Sequence, residues 1–129
     1  MRLVTHNYLQ SNVKGTEKGY PLIIEATKIE LEESPVDYEF LQKLLPKLKY
    51  DALLSAVQQI RSENNDIILL EDELPSTLPS DPDEALLRNL HKILFDLHIV
   101  EGHLKCPDTA RTFPITQGIP NMILHEDEI

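Results

Sequence analysis

The final part of the chain, residues 105–128, contains two short apolar stretches separated by turn residues, and this pattern limits the fold most. Residues 105–115 read KCPDTARTFPI, which predicts a tight turn followed by a short strand. Gln117 and Gly118 predict a second turn, and residues 119–124 (IPNMIL) predict a final apolar strand. Because that strand has apolar side chains on both faces, it belongs either to the core or to an edge that docks another protein. We favour the docking edge.

Extended and helical patterns alternate through the rest of the chain. Residues 20–31 are rich in β-branched side chains and predict a strand. A first helix is predicted to start with Ser34 as N-cap and Pro35 in its first turn, and to end near Leu45 because Pro46 follows. A second helix is predicted from about Asp51 to the asparagine pair at residues 64–65. These segments place helices directly after the first strand.

A third helix is predicted after an acidic stretch. Residues 62–81 predict a mostly irregular acidic loop with a short apolar anchor at residues 67–70. The helix is expected to begin with Asp81 as cap and Pro82 first, and to carry an apolar stripe through Leu97. Residues 99–104 then predict a return to extended structure. The pattern indicates an α+β fold: a small antiparallel sheet from residues 1–33 and 99–129, with an inserted segment of about three helices over residues 34–98.

Charge and cysteine content exclude several classes of function. The chain has 129 residues and a formal net charge of −10, which argues against direct binding to a phosphate backbone by this chain alone. Its single cysteine excludes an internal disulfide. The N-terminal residues lack the apolar core of a leader peptide, and the apolar runs are shorter than the roughly 20 residues of a membrane span. We expect no membrane association.

The residues that could support catalysis form no recognisable active site. Cys106 has neither a base nor an oxyanion site beside it in the sequence, although a small enzyme using this thiol is an alternative. His103 and Cys106 are spaced as half of a zinc site, but the remaining histidines form no second pair. The four glycines form no phosphate-binding loop. We therefore predict a chain without its own enzymatic activity.

Several motifs resemble the small activator subunit shared by eukaryotic and archaeal methyltransferases, the multifunctional methyltransferase subunit family. They are LVTHN at residues 3–7, YPL at 20–22, the helix over residues 86–97, VEGHLKCP at 100–107 and GIPNMIL at 118–124. This resemblance implies a zinc-ribbon-like sheet built from both termini. The four zinc cysteines of that family would correspond to Ser11, Thr16, Cys106 and Thr109. Because three of these are hydroxyl residues, which are poor zinc ligands, we predict no bound metal.

The resemblance also implies a function. Members of this family activate and stabilise several class I methyltransferases that modify tRNA, rRNA and a translation release factor, and they bind one enzyme at a time as heterodimers. The partner would bind S-adenosylmethionine, and the complexes would occur in cytoplasm and nucleus. The alternative is a free-standing ribbon-type adaptor that binds nucleic acid or other proteins. The predicted partner-binding residues are Thr5, His6, Asn7, Phe113, Ile115, Ile119, Pro120, Asn121, Met122, Ile123 and Leu124.

Overall fold

The computed structural model describes residues 1–63 and 74–129, with side chains described for 1–61 and 74–129. The helices are α1 (Leu3–Tyr8), α2 (Tyr38–Leu44), α3 (Tyr50–Glu63) and α4 (Glu84–His91). The strands are β1 (Ile23–Leu31), β2 (Leu97–Lys105), β3 (Thr112–Thr116) and β4 (Ile119–Pro120). Short 3₁₀ turns cover Leu45–Lys47 and Glu126–Glu128, and a π-helical turn covers Lys92–Asp96. The predicted α+β class is confirmed.

The four described strands form one antiparallel sheet in the order β1-β2-β3-β4. Ile23 pairs with Lys105 and Leu31 with Leu97, so β1 and β2 lie side by side over their whole length although about 65 residues separate them in the chain. The sheet is thus built from both ends of the chain, as predicted. Among the described residues, no helix has the length and apolarity to cross a membrane.

One face of the sheet and the helices enclose the core. Strand β1 alternates: Ile24 and Ala26 are buried while Glu25 and Thr27 are exposed, as expected for a sheet with one covered face. Helix α3 packs against β1 and contributes Leu53, Val57 and Ile60 to the core, all nearly inaccessible. Burying a side chain of this size stabilises the folded state by roughly 1.5–3 kcal/mol. Burial of these side chains therefore stabilises the packing of α3 against the sheet.

Helix α2 starts later than predicted. Its N-cap is Asp37, whose carboxylate accepts a hydrogen bond from the Phe40 amide at 3.0 Å. The predicted cap, Ser34, instead donates its hydroxyl to Asp96 Oδ1 at 2.6 Å. Ser34 therefore bonds to Asp96, a distant residue, and does not cap the helix as the local pattern predicted. The predicted end is confirmed, because α2 stops at Leu44 and a 3₁₀ turn containing Pro46 follows.

The third predicted helix is displaced at both ends. Its N-cap is Asp83, which accepts from the Leu86 amide at 2.8 Å, so Asp81 and Pro82 lie outside the helix. After His91 the helix widens into the π-helical turn, and β2 begins at Leu97 instead of residue 99. Helix α3 begins within one residue of its predicted start. The predicted end of this helix at residues 64–65 and the apolar anchor at 67–70 lie outside the described residues.

Candidate functional site

A tight hairpin joins β3 to β4 at the edge of the sheet. Its two turn residues, Gln117 (φ 51°) and Gly118 (φ 77°), both adopt left-handed backbone, the arrangement that matches the twist of two-residue hairpins. The Gly118 amide donates to the Val100 carbonyl at 2.9 Å, which fixes the turn against β2. The predicted second turn is confirmed, and its geometry places β4 at the outer edge.

The final strand is much shorter than predicted. Only Ile119 and Pro120 pair with β3 in the ladder, because Pro120 has no amide hydrogen to continue it. Beyond the ladder, the Asn121 amide donates to the Pro114 carbonyl at 2.9 Å. The Asn121 side-chain oxygen then accepts from the Ile123 amide at 3.0 Å. A side chain thus replaces the strand pairing that the apolar sequence suggested.

Residues 119–124, called the docking segment below, alternate between solvent and core. Ile119 and Ile123 are 67% and 75% exposed, among the most exposed large apolar side chains of the described chain. Met122 and Leu124 are partly buried and pack against the core. This alternation explains why the sequence is apolar on both faces: one set of side chains anchors the segment, and the other is presented at the surface.

Four residues predicted for the docking surface lie instead in the core. Phe113 and Ile115 are each 1% exposed, His6 is 1% exposed and Asn7 is 3% exposed. Alternation does send Phe113 and Ile115 to one face, as predicted, but it is the face covered by the core. Their side chains have no surface to offer a partner, so including them was wrong. Thr5 is exposed on the short helix α1, and whether it and the docking segment contact a partner stays a prediction.

His6 and Asn7 have structural roles that the sequence did not reveal. His6 Nε2 lies 2.7 Å from the Leu22 carbonyl, and burial lowers the pKa of this imidazole. Asn7 accepts from the Lys49 amide at 3.0 Å and donates to the Lys49 carbonyl at 2.9 Å. These contacts join α1 to the start of β1 and of α3. Two residues of the LVTHN motif therefore stabilise the packing of α1 against neighbouring segments.

The four positions that correspond to zinc ligands do come together. The Thr16 hydroxyl lies 3.6 Å from Cys106 Sγ, and Ser11 and Cys106 are both buried. Burial raises the pKa of the Cys106 thiol, but hydrogen bonds from Ser11 and Thr109 outweigh it, and the pKa falls from 9.0 to about 7. We call residues 11–19 and 106–111 the knuckle. In the knuckle, a loop near the N-terminus contacts a turn that precedes β3.

The donor set of the knuckle does not suit zinc. A structural zinc ion requires four nitrogen or sulfur ligands, whereas this cluster supplies one thiol and three hydroxyls. Among residues 1–63 and 74–129, no group of three histidine, cysteine or acidic side chains is placed to hold a metal. The hydroxyl groups instead hydrogen-bond the sulfur. That the chain binds no zinc stays a prediction.

Two acidic residues that sequence reasoning overlooked hold the knuckle together. The Asp108 carboxylate accepts from the amides of Lys18 and Gly19 at 3.0 and 2.8 Å. These hydrogen bonds lower the pKa of Asp108. Glu128 forms a two-pronged ion pair with Arg111, with distances of 2.5 and 3.2 Å. Both contacts span long sequence separations, so no local spacing could have indicated them.

Comparison with known proteins decides the family. A family model described as Trm112p-like protein matches residues 2–118. The chain belongs to the Trm112p-like family. The matched range covers α1, the knuckle and the turn at Gly118, and it stops just before the docking segment.

Full-length relatives agree with this family. The chain is 40% identical over 129 residues to multifunctional methyltransferase subunit TRM112 homolog B of Arabidopsis thaliana, with all of both chains covered. It is 36% identical to the TRM112-like protein of Mus musculus, covering 99% of this chain and 98% of the relative. The solved E. cuniculi Mtq2–Trm112 complex, described as responsible for methylation of the eRF1 translation termination factor, contains a chain with the same fold. That match has a TM-score of 0.57 at 18% identity and covers 95% of both chains.

Proposed function

We propose that this Trm112p-like chain is a non-catalytic subunit that activates and stabilises S-adenosylmethionine-dependent methyltransferases by docking through the β4 edge. The observation that carries the proposal is the docking segment: Ile119 and Ile123 are largely exposed at the open edge of the sheet. Exposed apolar side chains at a free strand edge are typical of a surface that another chain covers. Because the relatives are named methyltransferase subunits, we infer that the partner is a methyltransferase.

The backbone at this edge supports docking by strand addition. Antiparallel pairing turns alternate residues toward β3. Ile119 pairs with Thr116 and the Asn121 amide bonds to Pro114, so the Pro120 carbonyl between them points away from β3. A partner strand can hydrogen-bond to this carbonyl while it covers Ile119 and Ile123. Main-chain hydrogen bonds depend little on the partner's side chains. This mode of binding therefore suits a subunit shared by several enzymes.

The partner supplies the chemistry in this proposal. It binds S-adenosylmethionine and selects tRNA, rRNA or release factor as substrate, in cytoplasm and nucleus. Because every enzyme would use the same β4 edge, the enzymes bind one at a time, as heterodimers. The net charge of −10 disfavours contact with nucleic acid by this chain, so substrate recognition falls to the partner. Binding only the folded enzyme also stabilises that enzyme by mass action.

The docking edge can be tested with two charged substitutions. Ile119→Glu combined with Ile123→Glu should abolish co-purification with a co-expressed class I methyltransferase from the same organism, because charged groups would be buried without partners. The chain should remain folded by circular dichroism, since both side chains are exposed. Leu31→Glu with Phe40→Glu is the control, because it adds the same charge at exposed apolar residues on β1 and α2, away from the predicted contacts.

The control should bind as the wild type does. If the Ile119/Ile123 variant still co-purified in equal amounts and supported full methyl transfer, the β4 edge would not be the docking site.

A further inference from the structure

The docking segment is fastened at both of its ends. At one end β4 pairs with β3, and the Asn121 amide bonds to the Pro114 carbonyl. At the other end, the 3₁₀ turn Glu126–Glu128 is held through Glu128. Between these points the segment has no ladder of its own, so its shape depends on the two fastenings and on the packing of Met122 and Leu124 against the core.

Glu128 contacts three separate parts of the chain. Its carboxylate accepts from Arg111 Nε at 2.5 Å and Nη2 at 3.2 Å, and it also accepts from the His125 amide at 3.3 Å. Its main-chain carbonyl accepts from the Lys14 amide at 2.6 Å. The Arg111 and Glu128 side chains are only 28% and 17% exposed, so solvent screens the pair less than a surface ion pair.

Arg111 makes two further contacts besides its ion pair with Glu128. It lies directly before β3, its guanidinium stacks over the Phe113 ring at 4.8 Å, and its Nη1 donates to the Thr112 carbonyl. Phe113 is a core residue, so the guanidinium packs on a side chain that belongs to the core. Glu128 is thereby connected to the core through Arg111.

We propose that Arg111 and Glu128 form a latch that holds the docking segment in its binding shape before a partner arrives. This inference rests on the proposed docking function. Ordering a free segment costs conformational entropy, and a segment ordered in advance leaves less of that cost to be met at binding. The latch positions Ile119 and Ile123 without touching the partner. Arg111 and Glu128 are therefore positioning residues.

The test compares two alanine substitutions of ion-paired glutamates. Glu128→Ala removes the latch, while Glu84→Ala removes the Glu84–Arg88 pair on α4 and changes the net charge equally. The binding partner is the methyltransferase that co-purifies with the wild-type chain, and its dissociation constant is measured by calorimetry. This constant should rise about tenfold for Glu128→Ala. It should be unchanged for Glu84→Ala. Amide hydrogen exchange at residues 121–125 should accelerate only in Glu128→Ala.

Arg111→Lys provides a second variant with a graded result. Lysine keeps the positive charge but cannot form the two-pronged pair, so the loss of affinity should be smaller than for Glu128→Ala. If the wild type binds and Glu128→Ala shows the same affinity and the same hydrogen-exchange rates, the latch is overturned. The proposed docking function would then remain intact. Failure of the wild type to bind any methyltransferase would instead refute the proposed function.

Discussion

At the residue scale, single polar side chains hold the two parts of the knuckle together. Asp108 is the main example, because its carboxylate receives two backbone amides from a loop about ninety residues earlier in the chain. Cys106 remains at the centre of the knuckle, surrounded by hydroxyl donors. Hydrogen bonds to a carboxylate are stronger than those between neutral groups. The knuckle thus depends on charge at one exposed position.

Asp108→Asn should lower the melting temperature in a pH-dependent way. The amides of Gly19 and Lys18 hold the folded-state pKa of Asp108 below its usual 3.8, so its carboxylate stabilises the fold at pH values above the unfolded-state pKa. That stabilisation is lost as pH falls through the folded-state value. The difference in melting temperature between wild type and variant, followed by circular dichroism, should therefore be full at pH 7 and shrink below about pH 4.

Asp127→Asn is the control for this experiment, because Asp127 is an exposed aspartate in the 3₁₀ turn. It should change the melting temperature little at either pH. A difference for Asp108→Asn that stayed constant from pH 7 to pH 2 would show that charge on Asp108 is not what holds the knuckle.

At the scale of the elements, the sequence pattern predicted β1 and helices α2, α3 and α4, but it placed their boundaries poorly. It also missed α1, because the N-terminal third was expected to be extended and Leu3–Tyr8 is a helix. The β-branched stretch over residues 20–31 and the helical stripe from residue 86 correspond to β1 and α4.

The starts of α2 and α4 were both misplaced. At α2 a tertiary contact decided the cap, because Ser34 bonds to Asp96 across the fold and Asp37 caps the helix instead. At α4 the cap is Asp83, two residues after the predicted Asp81. The apolar docking segment likewise resembled a strand, yet proline and an asparagine side chain end its pairing. No local pattern contains the distant partner of Ser34.

Gly102→Ala tests the pairing of β1 with β2. Gly102 lies opposite Ala26, and a Cβ atom there would come within 2.3 Å of the Glu25 carbonyl oxygen. The strands cannot separate without breaking the central ladder, so the free energy of unfolding should fall by about 2–3 kcal/mol. Urea denaturation followed by circular dichroism measures this loss.

Gly15→Ala is the matched control. Gly15 also has positive φ (+92°), but the nearest atom to its Cβ would be a Thr109 methyl at 3.7 Å, so only backbone strain of about 1 kcal/mol is expected. Equal losses in the two variants would show that the close approach at Glu25 is not what requires glycine at residue 102.

At the scale of the whole molecule, the docking site could be predicted in part. The apolar sequence 119–124 indicated an exposed edge before any coordinates, and its exposed members Ile119 and Ile123 lie at that edge. Which face of β3 the core covers could not be read from alternation, because alternation is symmetric; that is why Phe113 and Ile115 were misassigned. The latch depends on Glu128 meeting Arg111, which only the folded chain reveals.

Acidic charge and an exposed apolar edge together describe a chain that needs a partner to act. The net charge of −10 favours solubility, and the apolar edge supplies a binding surface. Cys106 hydrogen-bonds within the knuckle, and His6 Nε2 bonds to the Leu22 carbonyl at α1. In this account, activity belongs to the complex.

The most direct test of this account measures methyl transfer from labelled S-adenosylmethionine to release factor by the release-factor methyltransferase of the same organism. Three samples are compared: the enzyme alone, this chain alone, and the two co-expressed. We predict strong transfer only by the complex, none by the chain alone, and little by a partner that is poorly soluble alone. Full activity of the enzyme without this chain, or transfer by this chain alone, would contradict its role as a non-catalytic activating subunit.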